Sequence, residues 1–239
     1  MTKLLPDFAV ASLLLATMLT SAVALADESR DVSLEDMLAT PCPTASNWIK
    51  NREKQVVSSR QASASPEPLD VAMHDELLQM QAEDVRTRTP LQQAGEHPSH
   101  AVVQAVMDVD KRHLDTLHEI TARGLPSREA IGSDGQSAFF LLVQHADMDP
   151  AFQEQVLAAN ARMADRGFRP DEAVMLSDRV ALRLGKEQPY GSQLGYEDGH
   201  LQPKKPIGRL DAVEKRRASV HLMPLSDYIC MMDVLQKPH

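Results

Sequence analysis

Phe139-Phe140-Leu141-Leu142-Val143-Gln144-His145-Ala146-Asp147-Met148-Asp149-Pro150-Ala151-Phe152-Gln153 is an apolar run that ends abruptly in a histidine and two carboxylates. From Ser137 to Ala146 the run is apolar nearly all round, the pattern of a helix enclosed by other helices rather than one lying on a surface. His145 falls one turn after Leu141, where that helix should end. Asp149 followed by Pro150 predicts the start of another helix, because the carboxylate accepts backbone N–H groups and proline tolerates the first helical position. A buried helix therefore delivers polar chemistry to one place.

Upstream of this stretch, Gly132 to Gly135 reads as a turn. Before it, Ser99 starts a long helix carrying Val102, Val103, Val106, Val109, Leu114, Leu117 and Ile120 on one face, stopped by Gly124 and Pro126. Asp108, Lys111, Arg112 and Asp115 read as solvated charges on that helix. An earlier helix runs from Leu69 to Arg88 and is closed by Thr89-Pro90. Downstream, a helix with Phe152, Val156, Leu157 and Met163 ends at Gly167, and another spans Pro170 to Leu184. Asp198-Gly199 within Gln188 to Leu201 reads as a β-hairpin turn. Two last helices are expected at Leu210 to Val220 and Pro224 to Leu235. The expected fold is mainly α: one helical domain over 69–239 with a small hairpin in its C-terminal third. With 4% aromatic residues and abundant Leu, Val, Ala and Met, its core should be aliphatic.

The first 26 residues carry Lys3, an apolar segment from Phe8 to Val23, and Ala24 and Ala26 around Leu25, the signature of a secretory signal peptide cut after Ala26, with an uncleaved N-terminal anchor as the alternative. No later apolar run has the roughly 20 residues needed to span a bilayer. Residues 27–68 read as a poorly ordered leader with short helices, one from Ser33 through Leu38 and one from Thr44 to Val57. The small-residue tract Ser58 to Pro68 then acts as a linker. The expected location is periplasmic or secreted. Cleavage removes one base and one acid, leaving the net charge at -9. That acidic balance argues against nucleic acid or anionic lipid as the main partner. Cys42 and Cys230 are chemically free to pair in an oxidising compartment, which would tie the leader to the last helix. The alternative leaves Cys42 exposed between two prolines and Cys230 a small core residue.

The words Asp84-x-x-x-Arg88, Gln144-His145-Ala146-Asp147, Asp178-Arg179-Val180, Gln188-x-Tyr190-Gly191-x-Gln193 and Arg216-Arg217, followed by Leu222-x-Pro224-Leu225-x-x-Tyr228, occur in this order. In them the chain, over roughly Leu69 to Met232, resembles a family of uncharacterised bacterial proteins catalogued as a domain of unknown function. The resemblance implies a predominantly helical fold and no particular reaction. The chain departs from that pattern in having Val85 where the family has Gln, His113 where it has Asn, Leu125 where it has Trp and His221 where it has Gly.

His145 beside Asp147 supplies a titratable base and an orienting carboxylate, with Asp178 as a second carboxylate. The bland reading has His145 complementing the carbonyl end of its helix, Asp147 and Asp149 starting the next, and Asp178-Arg179 as an internal ion pair. His145, Asp147 and Asp149 also suit a zinc or manganese ion by donor type, although their spacing matches no established metal motif, and neither a metal nor another cofactor is expected. The amides and phenol of Gln188, Tyr190 and Gln193 suit a neutral polar ligand, and Arg217 suits a carboxylate or phosphate. Asp84, Arg88, Gln144 and Arg179 complete the candidate ligand-binding set. The chain has no phosphate-cradling glycine loop, no GxSxG and no HExxH. Two readings follow. One is an exported helical module that binds an envelope protein or a small polar ligand. The other is a cell-envelope hydrolase or lyase with His145 as general base and Asp147 orienting it.

Overall fold

The computed structural model of the protein describes residues 33–60, 68–95, 97–163 and 167–236. The expected signal peptide at 1–26 and most of the small-residue linker lie outside them. Nine helices and one two-stranded hairpin account for the described regular structure: α1 (Leu34–Leu38), α2 (Pro43–Arg60), α3 (Val71–Gln93), α4 (His100–Thr121), α5 (Arg128–His145), α6 (Pro150–Asn160), α7 (Pro170–Arg183), β1 (Leu194–Glu197), β2 (His200–Pro203), α8 (Leu210–Ser219) and α9 (Leu225–Gln236). The fold is mainly helical, as the periodicity predicts. Among the described residues no helix is long and apolar enough to cross a membrane.

α5 is the enclosed helix. Ile131, Ala138, Phe139, Phe140, Leu142 and Val143 are buried in one cluster with Leu77 and Met80 of α3, Leu117 and Ile120 of α4, Phe152 and Val156 of α6, and Leu176 and Val180 of α7. Phe168, just before α7, packs its ring 5.8 Å from that of Phe139 and 5.3 Å from that of Phe140. Each large side chain buried here contributes about 1.5–3 kcal/mol. Side-chain oxygens cap the helices around this core: Asp70 accepts from Met73 N, Ser99 from Val102 N, Ser127 from Ala130 N and Asp149 from Phe152 N.

Three boundaries differ from the sequence reading. α3 does not stop at Thr89-Pro90 but runs one turn further, with Pro90 inside it. Proline removes only its own N–H donor near the helix end, and the extra turn buries Leu91 beside Val106 of α4. Gly132 to Gly135 is not a free turn: Gly132 (φ 72°) breaks α5 into two helical pieces that continue across the kink. A Cβ on Gly132 would approach Asp134 Oδ1 to 2.9 Å, so both the backbone angle and the space favour glycine. α6 ends at Asn160 rather than near Gly167, with Asn160 Oδ1 accepting from Phe168 N at 2.6 Å.

The two short helices expected in the leader are present. The second is longer than expected, and they pack on α9 rather than trailing from the body. Cys42 and Cys230 form a disulfide with a Cα–Cα separation of 6.0 Å, which settles the choice between pairing and separate roles. The hairpin matches its sequence signal: Glu197 pairs with His200, and the two-residue loop Asp198 (φ 53°)-Gly199 (φ 79°) has the left-handed geometry of a type I′ turn.

A buried ionic centre as candidate functional site

Asp84 and Arg88 lie one turn apart on α3 and face the C-terminal end of α5. His145, the last residue of α5, is only 5% exposed. Its Nδ1 is 3.0 Å from both Asp84 oxygens. Arg88 Nε is 3.0 Å from the same Nδ1 and 3.1 Å from Asp84 Oδ1. Nδ1 therefore accepts from Arg88 Nε–H or donates to Asp84 according to which ring nitrogen carries the proton, and Arg88 and Asp84 are joined as an ion pair. The other end of Arg88 donates from Nη2 to Asp110 Oδ1 of α4 at 2.5 Å. One turn further along α4, His113 Nε2 is 3.1 Å from Glu83 Oε2, and Arg112 Nη2 donates to Glu83 Oε1 at 2.7 Å.

After His145 the chain turns at Ala146 (ψ 43°), and this turn swings Asp147 away from the imidazole toward α7. Arg179 grips the Asp147 carboxylate with Nε and Nη2, the Nε contact being 2.7 Å, and Arg183 Nη2 donates to the Asp147 carbonyl at 2.8 Å. The carboxylate that orients His145 is therefore Asp84, not the sequence neighbour Asp147. Asp147 organises arginines instead.

Burial pushes the His145 pKa down, and the Arg88 and Arg179 charges add to that against the opposing pull of Asp84, so the ring stays neutral. Burial works the other way on the carboxyls. At Asp84 it is outweighed by His145 and Arg88, and at Asp147 by Arg179 and Arg183, so both sit below the ordinary carboxylate range. At Asp110 burial wins over Arg88, and the nearby Asp84 and Asp147 charges assist it, raising the pKa to about 6. In the neutral tautomer that donates Nδ1–H to Asp84, Nε2 is a bare acceptor. It is buried without a hydrogen-bond partner. Two further acceptors near this helix end, Gln144 Oε1 and Gln153 Oε1, are buried in the same condition, while Gln153 Nε2 donates to the carbonyls of Val143 and Gln144.

The remaining candidates form a second network on the other side of α7. Asp178 accepts from Tyr190 N at 2.8 Å and from Ser192 N at 2.6 Å. Gln188 accepts from Gln193 N and donates to the carbonyls of Gln193 and Lys204. Gln193 Nε2 donates to the Met175 carbonyl at 3.2 Å. Arg217 Nε and Nη1 donate to the carbonyls of Met223 and Tyr190, and Arg216 Nε donates to that of Pro189. Asp178, Gln188, Gln193 and Arg217 thus hold the 188–193 loop by its backbone. None of these hydrogen bonds involves His145, Asp84 or Arg88. Tyr190 takes part through its main chain, its side chain being half-buried.

Asp110, Glu83 and His113 are absent from the sequence-based set. A signal for two of them exists: His113 lies four residues from both Val109 and Leu117, and Asp110 four from both Val106 and Leu114, so each is a polar residue in an apolar stripe. Among the described residues no group of three or more His, Cys, Asp or Glu side chains is arranged to hold a metal ion. His145, Asp147 and Asp149 face different partners: Asp84, Arg179, and the first turn of α6 together with His118, whose Nε2 is 3.3 Å from Asp149 Oδ2.

Comparison with curated proteins and with solved structures gave no match. A family model described as a family of unknown function (DUF6624) matches residues 71–236, from the start of α3 to the end of α9 and through every word quoted above. The chain belongs to that family of unknown function.

Proposed function

We propose that the chain is an exported, non-catalytic helical module that binds a small polar ligand at the ionic centre. The observation that carries this reading is the buried, unpartnered His145 Nε2, which is a bare acceptor in the tautomer that donates Nδ1–H to Asp84. Such an atom is matched by a hydrogen-bond donor such as a hydroxyl, amide or ammonium group, because a buried acceptor left unmet costs about 1–3 kcal/mol. Loop N–H groups occupy the Asp178 carboxylate, which leaves the catalytic set one carboxylate short, while backbone groups occupy Gln188, Gln193 and Arg217, which leaves the ionic centre as the place for a ligand. The disulfide and the N-terminal signal pattern support an extracytoplasmic location.

A thermal-shift screen of amino sugars, short peptides and polyols, run beside His145→Ala, tests the reading. A stabilising compound that loses its effect in the variant, with no product formed from it, is the expected result. Absence of any stabilising compound for the wild type contradicts it. One observation favours a second reading, a hydrolase or lyase of envelope material: Asp84 and His145 form a carboxylate–imidazole pair of the kind that serves general base catalysis. Product formation by the wild type, abolished in His145→Ala and Asp84→Asn, would decide for it.

A further inference from the structure

α1 and α2 precede the stretch that the family matches, and they are held to α9 through one small patch. Leu38, Cys42 and Ala45 are buried there against Met223, with Trp48, Ile49, Tyr228, Met231 and Val234 packed around them. Thr44 Oγ1 donates to Asp227 Oδ1 at 2.5 Å, and Arg52 Nη1 donates to the His221 carbonyl at 2.7 Å. The Cys42–Cys230 bond passes through the middle of this contact. Apolar contact of this size has to offset the ordering of two helices, and the covalent bond supplies what the packing lacks by closing nearly the whole chain.

α9 also supports the 188–193 loop. Tyr228 donates from its hydroxyl to the Ser192 carbonyl at 3.1 Å, and its ring lies 5.1 Å from the Arg217 guanidinium carbon. Whatever frees α9 from the N-terminal helices therefore acts on a residue that braces the loop. The main core is a separate body of side chains: its buried members come from α3, α4, α5, α6 and α7 and from Ala146 and Phe168, with none from α1, α2 or α9.

We propose that the Cys42–Cys230 disulfide is a redox-sensitive latch. A dithiol opens it, frees α1–α2 from α9 and loosens the 188–193 loop, while the α3–α7 core stays folded. Cys230 is a partly buried residue and Cys42 a fully buried one, so a thiolate of the reductant attacks Cys230 Sγ. A mixed disulfide forms at Cys230 as Cys42 leaves as a thiolate and takes up a proton. The second thiol of the reductant then displaces Cys230, which is protonated in turn. Two electrons and two protons pass to the protein, and the dithiol ends as an intramolecular disulfide. Opening exposes Met223, Tyr228, Met231 and Val234, an apolar strip on and beside α9.

Hydrogen exchange of the full chain with and without dithiothreitol tests this, with Cys42→Ser/Cys230→Ser to separate loss of the bond from effects of the reagent. Amides of α1 and α2 should exchange roughly tenfold faster or more in both the reduced protein and the variant. The 188–193 loop should follow to a smaller degree, and α4 and α5 should change by less than about twofold. Unchanged protection of α1–α2 would overturn the proposal, because packing alone would then hold them. An equal loss across all helices would also overturn it, because the bond would then staple the whole fold.

Discussion

The two polar networks flanking α7 use the same residue types to different ends. In the ionic centre, charges answer charges: Asp84, Arg88, Asp110, Asp147 and Arg179 are neighbours of one another and of one neutral imidazole. In the loop network, charges and amides answer backbone: Asp178, Gln188 and Arg217 make their contacts with main-chain N–H and carbonyl groups. Asp178 and Arg179 are consecutive residues on one helix and belong to different networks, because successive helical positions point about 100° apart. A network that satisfies backbone is a fold-holding device. A network of buried charges surrounding an unmet acceptor is the place to look for a ligand.

The largest effect should come from Arg88→Met, which leaves Asp84 and Asp110 buried without their shared cation. Removing one partner of a buried pair costs about 3–5 kcal/mol, to be read from urea unfolding midpoints. A cost below ~1 kcal/mol would mean that the centre is hydrated and the contrast with the loop network is weaker than drawn. Asp178→Ala comes next, at about 1–3 kcal/mol, since two buried N–H groups lose their acceptor. Its distinctive mark is faster exchange at Tyr190 and Ser192, with the amides of α4 unchanged. Uniform acceleration would break the separation of the two networks.

These networks show what the sequence reveals and what it hides. The Ser99 cap and the valine and leucine spacing on α4 are local signals, and Asp198-Gly199 requires a left-handed turn; both read directly. Pro90 and Gly132 misled because tertiary packing tolerates a missing donor near a helix end and a kink inside a buried helix. His145 is recognisable as a polar group at the end of an apolar helix. Its partner is not, because whether Asp84 or Asp147 meets the ring depends on the turn at Ala146 and on how α3 is rotated, neither of which is set within a few residues. The loop words were visible but their role was not legible, because amides and an arginine near glycine suit a ligand and suit loop backbone equally well.

A pH profile sharpens the comparison from the acid side. Asp110 has a folded pKa of about 6, above an unfolded value of about 3.9, so the folded protein holds that proton more tightly. Its contribution to stability is therefore greatest at low pH and is lost as pH rises from about 4 to 6. Asp84 and Asp147, held low, behave oppositely: their contribution is present above the unfolded pKa and is lost as pH falls through the folded value. Asp110→Asn should thus gain on the wild type across pH 4 to 6, by about 3 kcal/mol at most. A constant difference between the two proteins over that window would argue against a buried Asp110 carboxyl.

The smallest effect concerns the end of α8. His221 occupies a left-handed conformation (φ 55°) there, while Leu222 N donates to the Arg217 carbonyl. Glycine accepts this geometry without strain, so His221→Gly should raise stability by up to ~1 kcal/mol. Thermal unfolding of the variant should show the gain without change in the amides of α4. A loss would mean that the His221 side chain contributes more than its backbone strain costs.

The most direct test of the ionic centre as a ligand site is the nitrogen-15 spectrum of the His145 ring as a function of pH. A neutral ring at pH 7, protonated on Nδ1 and bare on Nε2, taking its second proton only below the ordinary histidine pKa, is the predicted result. An imidazolium at pH 7, or a neutral ring with its proton on Nε2, would contradict it, since no free acceptor would then stand at the end of α5.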